Sequence, residues 1–287
     1  MRHNIPNYRN LFICSLILLT SCGCETAENT AAPANGTAAQ AAASTVISAD
    51  IDEMRKAFVS TQLAESDISS IVPAKTTAMT LSDEPPESYF IENVPLIHQL
   101  PDFPTGCESV SACMLLQYNG YDISPEAFIN DYLRTDDDFY HKRGVCWGPD
   151  PYQVFVGDPK DDDSYGCMSP VIADAFDRIF GNSDWGCITD CTTLSELCDE
   201  YICNDIPVMV WVSMDMDPPR PGNIWTLPDG FEYQWLRNEH CMVLVGYDER
   251  YLYFNDPYTG RVKKHTRKIS EKRYEAFEMQ SIVIFPD

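Results

Sequence analysis

Pro104-Thr105-Gly106-Cys107-Glu108-Ser109-Val110-Ser111-Ala112-Cys113-Met114-Leu115-Leu116-Gln117-Tyr118-Asn119-Gly120 decides the fold. Pro-Thr-Gly is a turn. It runs straight into a segment that is apolar around its whole circumference at Ala112 to Leu116, which predicts a helix buried on all sides. Asn119-Gly120 stops it, the glycine suiting a left-handed cap. Cys107 thereby falls at or near a helix N-terminus, where unpaired backbone N–H groups and the positive dipole end favour a thiolate over a thiol. Free cysteine is commonly a small buried hydrophobe, and Cys113 fits that description. Six residues on, it is turned about 120° away from Cys107 and lies inside the apolar run.

Outward from this helix the pattern is mixed. Phe90 to Leu100 alternates weakly and reads as extended, with Gln99 at its end. Ser124-Pro125-Glu126 caps a second helix through Leu133, Ser169-Pro170 a third through Phe180, and Thr193 a fourth that ends near Cys203. Short β-branched or aromatic runs follow at Pro207 to Met214, His240 to Tyr247, Tyr251 to Asn255, Gly260 to Thr266 and Ser281 to Phe285. Asp248-Glu249-Arg250 is a hairpin connection. Helices first and a mostly antiparallel sheet afterwards define an α+β class, with the Cys107 helix packed on the sheet.

Of five histidines, His240 alone opens an apolar strand, where a ring can be fixed and aimed. Asp256 follows one hairpin later, so the two can lie on adjacent strands. A carboxylate there would set the imidazole tautomer and stabilise the imidazolium. Asn255 would take that place if the register differed by one, since alternation sends neighbours to opposite faces. Gln99, eight residues before Cys107, could donate to a developing oxyanion together with the Cys107 backbone N–H. Cysteine, histidine, carboxylate is the chain order of a papain-type nucleophile, base and orienter.

Several stretches carry a resemblance to a known family: Val94-Pro95-Leu96-Ile97-His98-Gln99-Leu100-Pro101, Pro104 to Ala112, Gly148-Pro149-Asp150-Pro151, Gly157-Asp158-Pro159, His240 to Tyr247 and Tyr253-Phe254-Asn255-Asp256-Pro257. Together they resemble the peptidase-C39-like group, family thirty-nine of the cysteine peptidases, over roughly Asn93 to Pro286. The resemblance implies a papain-like fold, thiolate–imidazolium catalysis by Cys107, His240 and Asp256, and Gln99 in the oxyanion hole. It implies hydrolysis of a peptide or isopeptide bond without a cofactor. The family's better-known members are bacteriocin leader peptidases that cut after a double glycine as cytoplasmic domains of export transporters. This chain has a signal and no transporter segments, so that specificity is not carried over. A cell-wall amidase or transpeptidase would use the same triad, and a catalytically idle binding module would keep the same fold. The loop Cys146 to Asp158, with Trp147, Tyr152 and Phe155, could line a substrate cleft or be a surface loop pinned by its aromatics.

Residues 1–21 read as a signal peptide: Arg2 and Arg9, an apolar core at Leu11 to Leu19, and the small-residue site Leu19-Thr20-Ser21-Cys22. The core is shorter than the roughly 20 residues a span needs. The site resembles the lipobox of bacterial lipoproteins, which implies acylation of Cys22 and a tether to the outer face of the cytoplasmic membrane; without acylation the chain would be secreted. An Ala/Thr/Asn-rich stretch and an ambiguous segment occupy residues 22–87, and the peptidase-like domain 88–287. The formal charge of -24 becomes -26 once Arg2 and Arg9 are removed, which argues against nucleic acid as a partner. A peptide or protein substrate is the expected partner, beside the membrane through the anchor. Asp136-Asp137-Asp138 and Asp161-Asp162-Asp163 read as solvated loops that match no calcium-loop spacing. Among the remaining cysteines of an exported protein, disulfides are expected rather than a structural zinc site. Cys187 with Cys191 is the easier pairing, while Cys198 and Cys203 cannot pair within one helix.

Overall fold

The computed structural model describes residues 85–286. The stretches expected to form a signal peptide and a tether, Cys22 among them, lie outside the described residues. Only β1 (Tyr89–Phe90) forms in the stretch expected to be extended, because Asn93 takes φ 63 and Pro95 has no N–H to give a ladder. Helix α1 (Cys107–Tyr118) matches expectation, buried from Cys107 through Leu116, and Gly120 beyond it has φ 86. Helix α2 (Pro125–Asp131) is capped by Ser124, whose Oγ accepts from the Ala127 N–H at 3.2 Å; it ends two residues before Leu133.

The parallel pair β2 (Thr135–Asp136) and β5 (Phe155–Val156) brackets the hairpin β3 (Tyr140–Lys142) and β4 (Val145–Trp147). Helix α3 (Ser169–Phe180) starts one residue earlier than the Ser-Pro signal suggests. Met168 is its cap residue, because Ser169 directs both its N–H and its hydroxyl to Gln280 Oε1, at 2.9 and 3.0 Å. After β6 (Trp185–Asp190), Thr193 and Glu196 close a capping box on α4 (Leu194–Glu200), and the chain tightens into a 3₁₀ turn at Ile202–Asn204.

Strands β7 (Val208–Ser213), β8 (Arg220–Thr226), β9 (Glu232–Arg237), β10 (Glu239–Tyr247), β11 (Tyr251–Asp256) and β12 (Arg261–Thr266) follow, then α5 (Arg267–Ala276) and β13 (Ser281–Pro286). The main sheet runs β12-β11-β10-β7-β13-β6 with β1 added beside β10, and every pairing in it is antiparallel. Gly246 lets β1 cross: a Cβ there would lie 2.6 Å from the Phe90 ring and 2.9 Å from the Tyr89 carbonyl. Strands β3, β4, β8 and β9 make a separate four-stranded sheet.

The sheet is covered on both faces. Met209, Trp211, Cys241, Val243, Ile282 and Ile284 pack in one core with α1 and α3. Val208, Val210, Val212, Met242, Leu244, Leu252 and Phe254 pack in another with α4 and Tyr274 of α5. That is why Val208–Ser213 and His240–Tyr247 read as unbroken apolar runs rather than alternating ones. The expected class therefore holds: α+β, with the Cys107 helix laid on a mostly antiparallel sheet. No helix among the described residues is long and apolar enough to cross a membrane.

Candidate active site

Hairpin β10–β11 builds half of the site. Val243 stands opposite Asn255, which puts Asp256 on the face of His240 and turns Asn255 to the other. His240 Nε2 and Asp256 Oδ1 are 2.8 Å apart, both side chains buried. Asn255 instead donates to the carbonyls of Val94 and Pro95, at 3.3 and 3.1 Å. The register question left by the sequence resolves toward Asp256. Burial pushes the Asp256 carboxyl up, but the bond and charge of His240, the Thr259 hydroxyl at 2.7 Å and the Tyr258 N–H at 2.9 Å outweigh it, holding its pKa down at about 2. With Nε2 engaged, Nδ1 of His240 is left buried without a partner.

Helix α1 supplies the other half. Cys107 is its first residue, as expected, and is buried. Its electrostatic setting is not the expected one. Burial, then the neighbouring carboxyls of Glu108 and Glu239 and the thiol of Cys241, push the Cys107 thiol well above its ordinary range. Its S–H donates to Glu108 Oε2 at 3.2 Å. Glu108 is fully buried, and its Oε1 accepts the Cys167 N–H at 2.7 Å. Burial likewise raises the Glu108 and Glu239 carboxyls. Cys107 Sγ and one carboxylate oxygen from each of these two residues lie within 4.8 Å of one another. The group contains no imidazole and its sulfur is the expected nucleophile, so its chemistry suits proton exchange better than a resident metal.

Gln99 is buried and lines the same cleft. Its Nε2 donates to the carbonyls of Phe103 and Pro104, both at 3.0 Å, leaving Oε1 without a partner. Both amide hydrogens are thus committed, and an oxyanion role requires the side chain to release one of them.

Cys107, His240, Gln99 and Glu239 open onto one cleft of about 600 Å³, walled by Tyr165 and Trp235. Trp147, Tyr152 and Phe155 do not line it. Phe155 is wholly buried in the core, Tyr152 gives its hydroxyl to Glu278, and Trp147 stacks on Tyr140. Asp162 and Asp163 stand at the mouth of the cleft. The disulfide expectation is also corrected: no disulfide joins any two of the nine cysteines among the described residues. Cys187 on β6 turns its sulfur toward the Ala173 carbonyl at 3.8 Å, away from exposed Cys191, and Cys203 caps the Asp199 carbonyl at 2.9 Å.

Glu108 and Glu239 were not singled out from the sequence. A signal for Glu108 existed: an acid in the first turn of a helix otherwise buried on all sides must find a partner. Glu239 offered less, since a charged residue before a strand is ordinary.

Over 185 residues the chain is 27% identical to the uncharacterised protein YvpB of Bacillus subtilis (strain 168), spanning 64% of this chain and 70% of that protein. The crystal structure of a supposed C39-like peptidase from Bacillus anthracis superimposes with a TM-score of 0.61 at 26% identity, covering 70% of this chain and 99% of that one. The model of the Peptidase_C39 like family matches residues 91–282, a span that contains α1, the β10–β11 hairpin and every side chain of the cleft named above. The chain is therefore a member of the Peptidase_C39 like family.

Proposed function

We propose that the protein is an exported cysteine peptidase, tethered to the outer face of the bacterial membrane through Cys22, that hydrolyses a peptide or isopeptide bond. The observation that carries this is a buried His240, held by Asp256 at 2.8 Å, that lines one cleft with a cysteine at a helix start. Asp256 fixes hydrogen on Nε2, which leaves the Nδ1 lone pair as the base. Nδ1 takes the Cys107 proton, and Sγ adds to the carbonyl carbon. The imidazolium then gives that proton to the leaving amine, releasing one product and leaving a thioester. A water molecule, deprotonated by the same nitrogen, cleaves the thioester and restores the thiol. The Cys107 N–H and a reoriented Gln99 amide steady the oxyanion.

The test is proteolysis of a denatured protein mixture by the purified full chain, with new N-termini read by mass spectrometry. New termini with wild type and none with Cys107→Ala are expected. Termini that persist in Cys107→Ala would refute the assignment. A folded wild type that creates none would favour the binding module, and products formed only with an added amine acceptor would favour transpeptidation.

A further inference from the structure

Glu108 and Glu239 have no part in the mechanism above, yet their carboxyl groups lie beside the sulfur. Their oxygens and Sγ fit within 4.8 Å. Glu108 is fully buried, and Glu239 Oε1 is buried with no hydrogen-bond partner. No described ion pair joins either carboxyl to a lysine, arginine or histidine. Gly166 closes over them from the segment before α3. With φ 138 its backbone approaches so nearly that a Cβ would lie 2.5 Å from Glu108 Oε1 and 3.3 Å from Glu239 Oε2. Two carboxylates cannot both stay charged at that spacing out of water, as carboxyl dyads that share one proton show.

Deepening the peptidase reading, on which it rests, we propose that Glu108 and Glu239 form a one-proton carboxyl pair. They are positioning residues that hold the Cys107 thiol away from His240 at rest and set the pH range in which its thiolate forms. Three observations converge on this. The S–H is donated to Glu108 Oε2 and no bond joins it to the ring. Nδ1 of His240, the acceptor it would need, is unoccupied. Glu108 cannot swing away freely, since Oε1 is held by the Cys167 N–H at 2.7 Å.

The sign follows from charge. While the pair keeps its proton it carries one negative charge, and sulfur can ionise by passing its hydrogen to Nδ1. When the pair loses that proton a second charge appears beside Sγ, and the thiolate becomes harder to form. Other titratable groups face the pair from the surrounding elements: the thiols of Cys167 and Cys241, the Tyr233 phenol of β9, and His240. Arg237, Asp162 and Asp163 share the cleft.

The experiment is iodoacetamide labelling of Cys107 in the full chain across pH 4–10, in chelator, read by peptide mass spectrometry. It compares wild type with Glu239→Gln, Glu108→Gln and, as control, Asp163→Asn. Each Gln variant keeps the side-chain volume and limits the pair to one negative charge, so the second charge beside Sγ cannot appear, and in Glu108→Gln the new amide oxygen could still accept the Cys167 N–H. The labelling midpoint is expected to fall by about one pH unit in each Gln variant, roughly a tenfold rate gain at pH values where the wild-type pair has lost its proton, with Asp163→Asn moving it far less. Should Glu108→Gln fail to fold, Glu239→Gln carries the test alone. An unmoved midpoint in folded Glu239→Gln overturns the pair. So does an equal shift in Asp163→Asn, which would reduce the effect to general charge. A wild-type midpoint that changes when chelator is omitted and zinc added at trace level also overturns it, because a cation and not a proton would then balance the carboxyls. Labelling needs no substrate, so an unmoved midpoint leaves the peptidase assignment standing, and a failed search for cleavage products leaves the midpoints valid.

Discussion

At the scale of single residues, Asp256 ties the site to stability. A carboxyl held below its unfolded value stabilises the fold at every pH above that value and loses the contribution as pH falls through the folded one. From an ordinary 3.8 down to about 2, the contribution is about 2–3 kcal/mol near neutrality. Asp256→Asn is accordingly expected to lose about 2 kcal/mol in urea unfolding at pH 7, a difference that closes as pH approaches 2. A constant difference across that range would mean that packing, not charge, is lost. Cys107, His240 and Asp256 stood out in the chain because each has the chemical type its proposed role demands, in an order that nucleophilic catalysis reuses. The direction in which Cys107 Sγ points was not legible. It depends on Glu108 and on a backbone N–H fifty-nine positions away in the chain. Gln99 was legible as a donor and not as one already occupied, since its partners are turn carbonyls at Phe103 and Pro104.

At the scale of elements, local chemistry decided what could be read. Helix α4 was visible through Thr193, and its box is complete: Thr193 Oγ1 accepts the Glu196 N–H at 3.2 Å while Glu196 Oε2 accepts the Thr193 N–H at 2.9 Å. Thr193→Ala is expected to cost about 1 kcal/mol in thermal unfolding, and Thr193→Ser to restore most of it. Strands β8 and β9 escaped notice because Pro221 and Gly222 interrupt the pattern. Those residues sit at a bulge, where a Cβ on Gly222 would meet the Trp235 carbonyl at 2.7 Å. Helix α5 escaped because its sequence, Arg-Lys-Ile-Ser-Glu-Lys-Arg-Tyr-Glu-Ala, is charged almost throughout. Tertiary contacts hold it: Tyr274 is wholly buried and Arg273 donates to the Met216 carbonyl at 2.9 Å.

For the whole molecule, the formal charge of -24 and the aspartates at the cleft mouth bias encounters toward cationic chains. Peptides rich in lysine or arginine should be cut with a higher kcat/KM than acidic peptides of matched length, by about tenfold at 10 mM salt, shrinking severalfold at 0.15 M as the Debye length falls from about 30 to 8 Å. A preference that ignores salt would place the discrimination in contacts inside the cleft. Strand β10 carries both Glu239 and His240, and its Val243 and Leu244 are paired on both sides, with β7 and with β11. Residues so enclosed come free only when the sheet itself parts. The imidazole is thus mounted three positions from a stretch of strand paired on both sides. Warming short of melting is expected to leave the ring aimed, so that His240 loses its place only at the temperature that unfolds the protein.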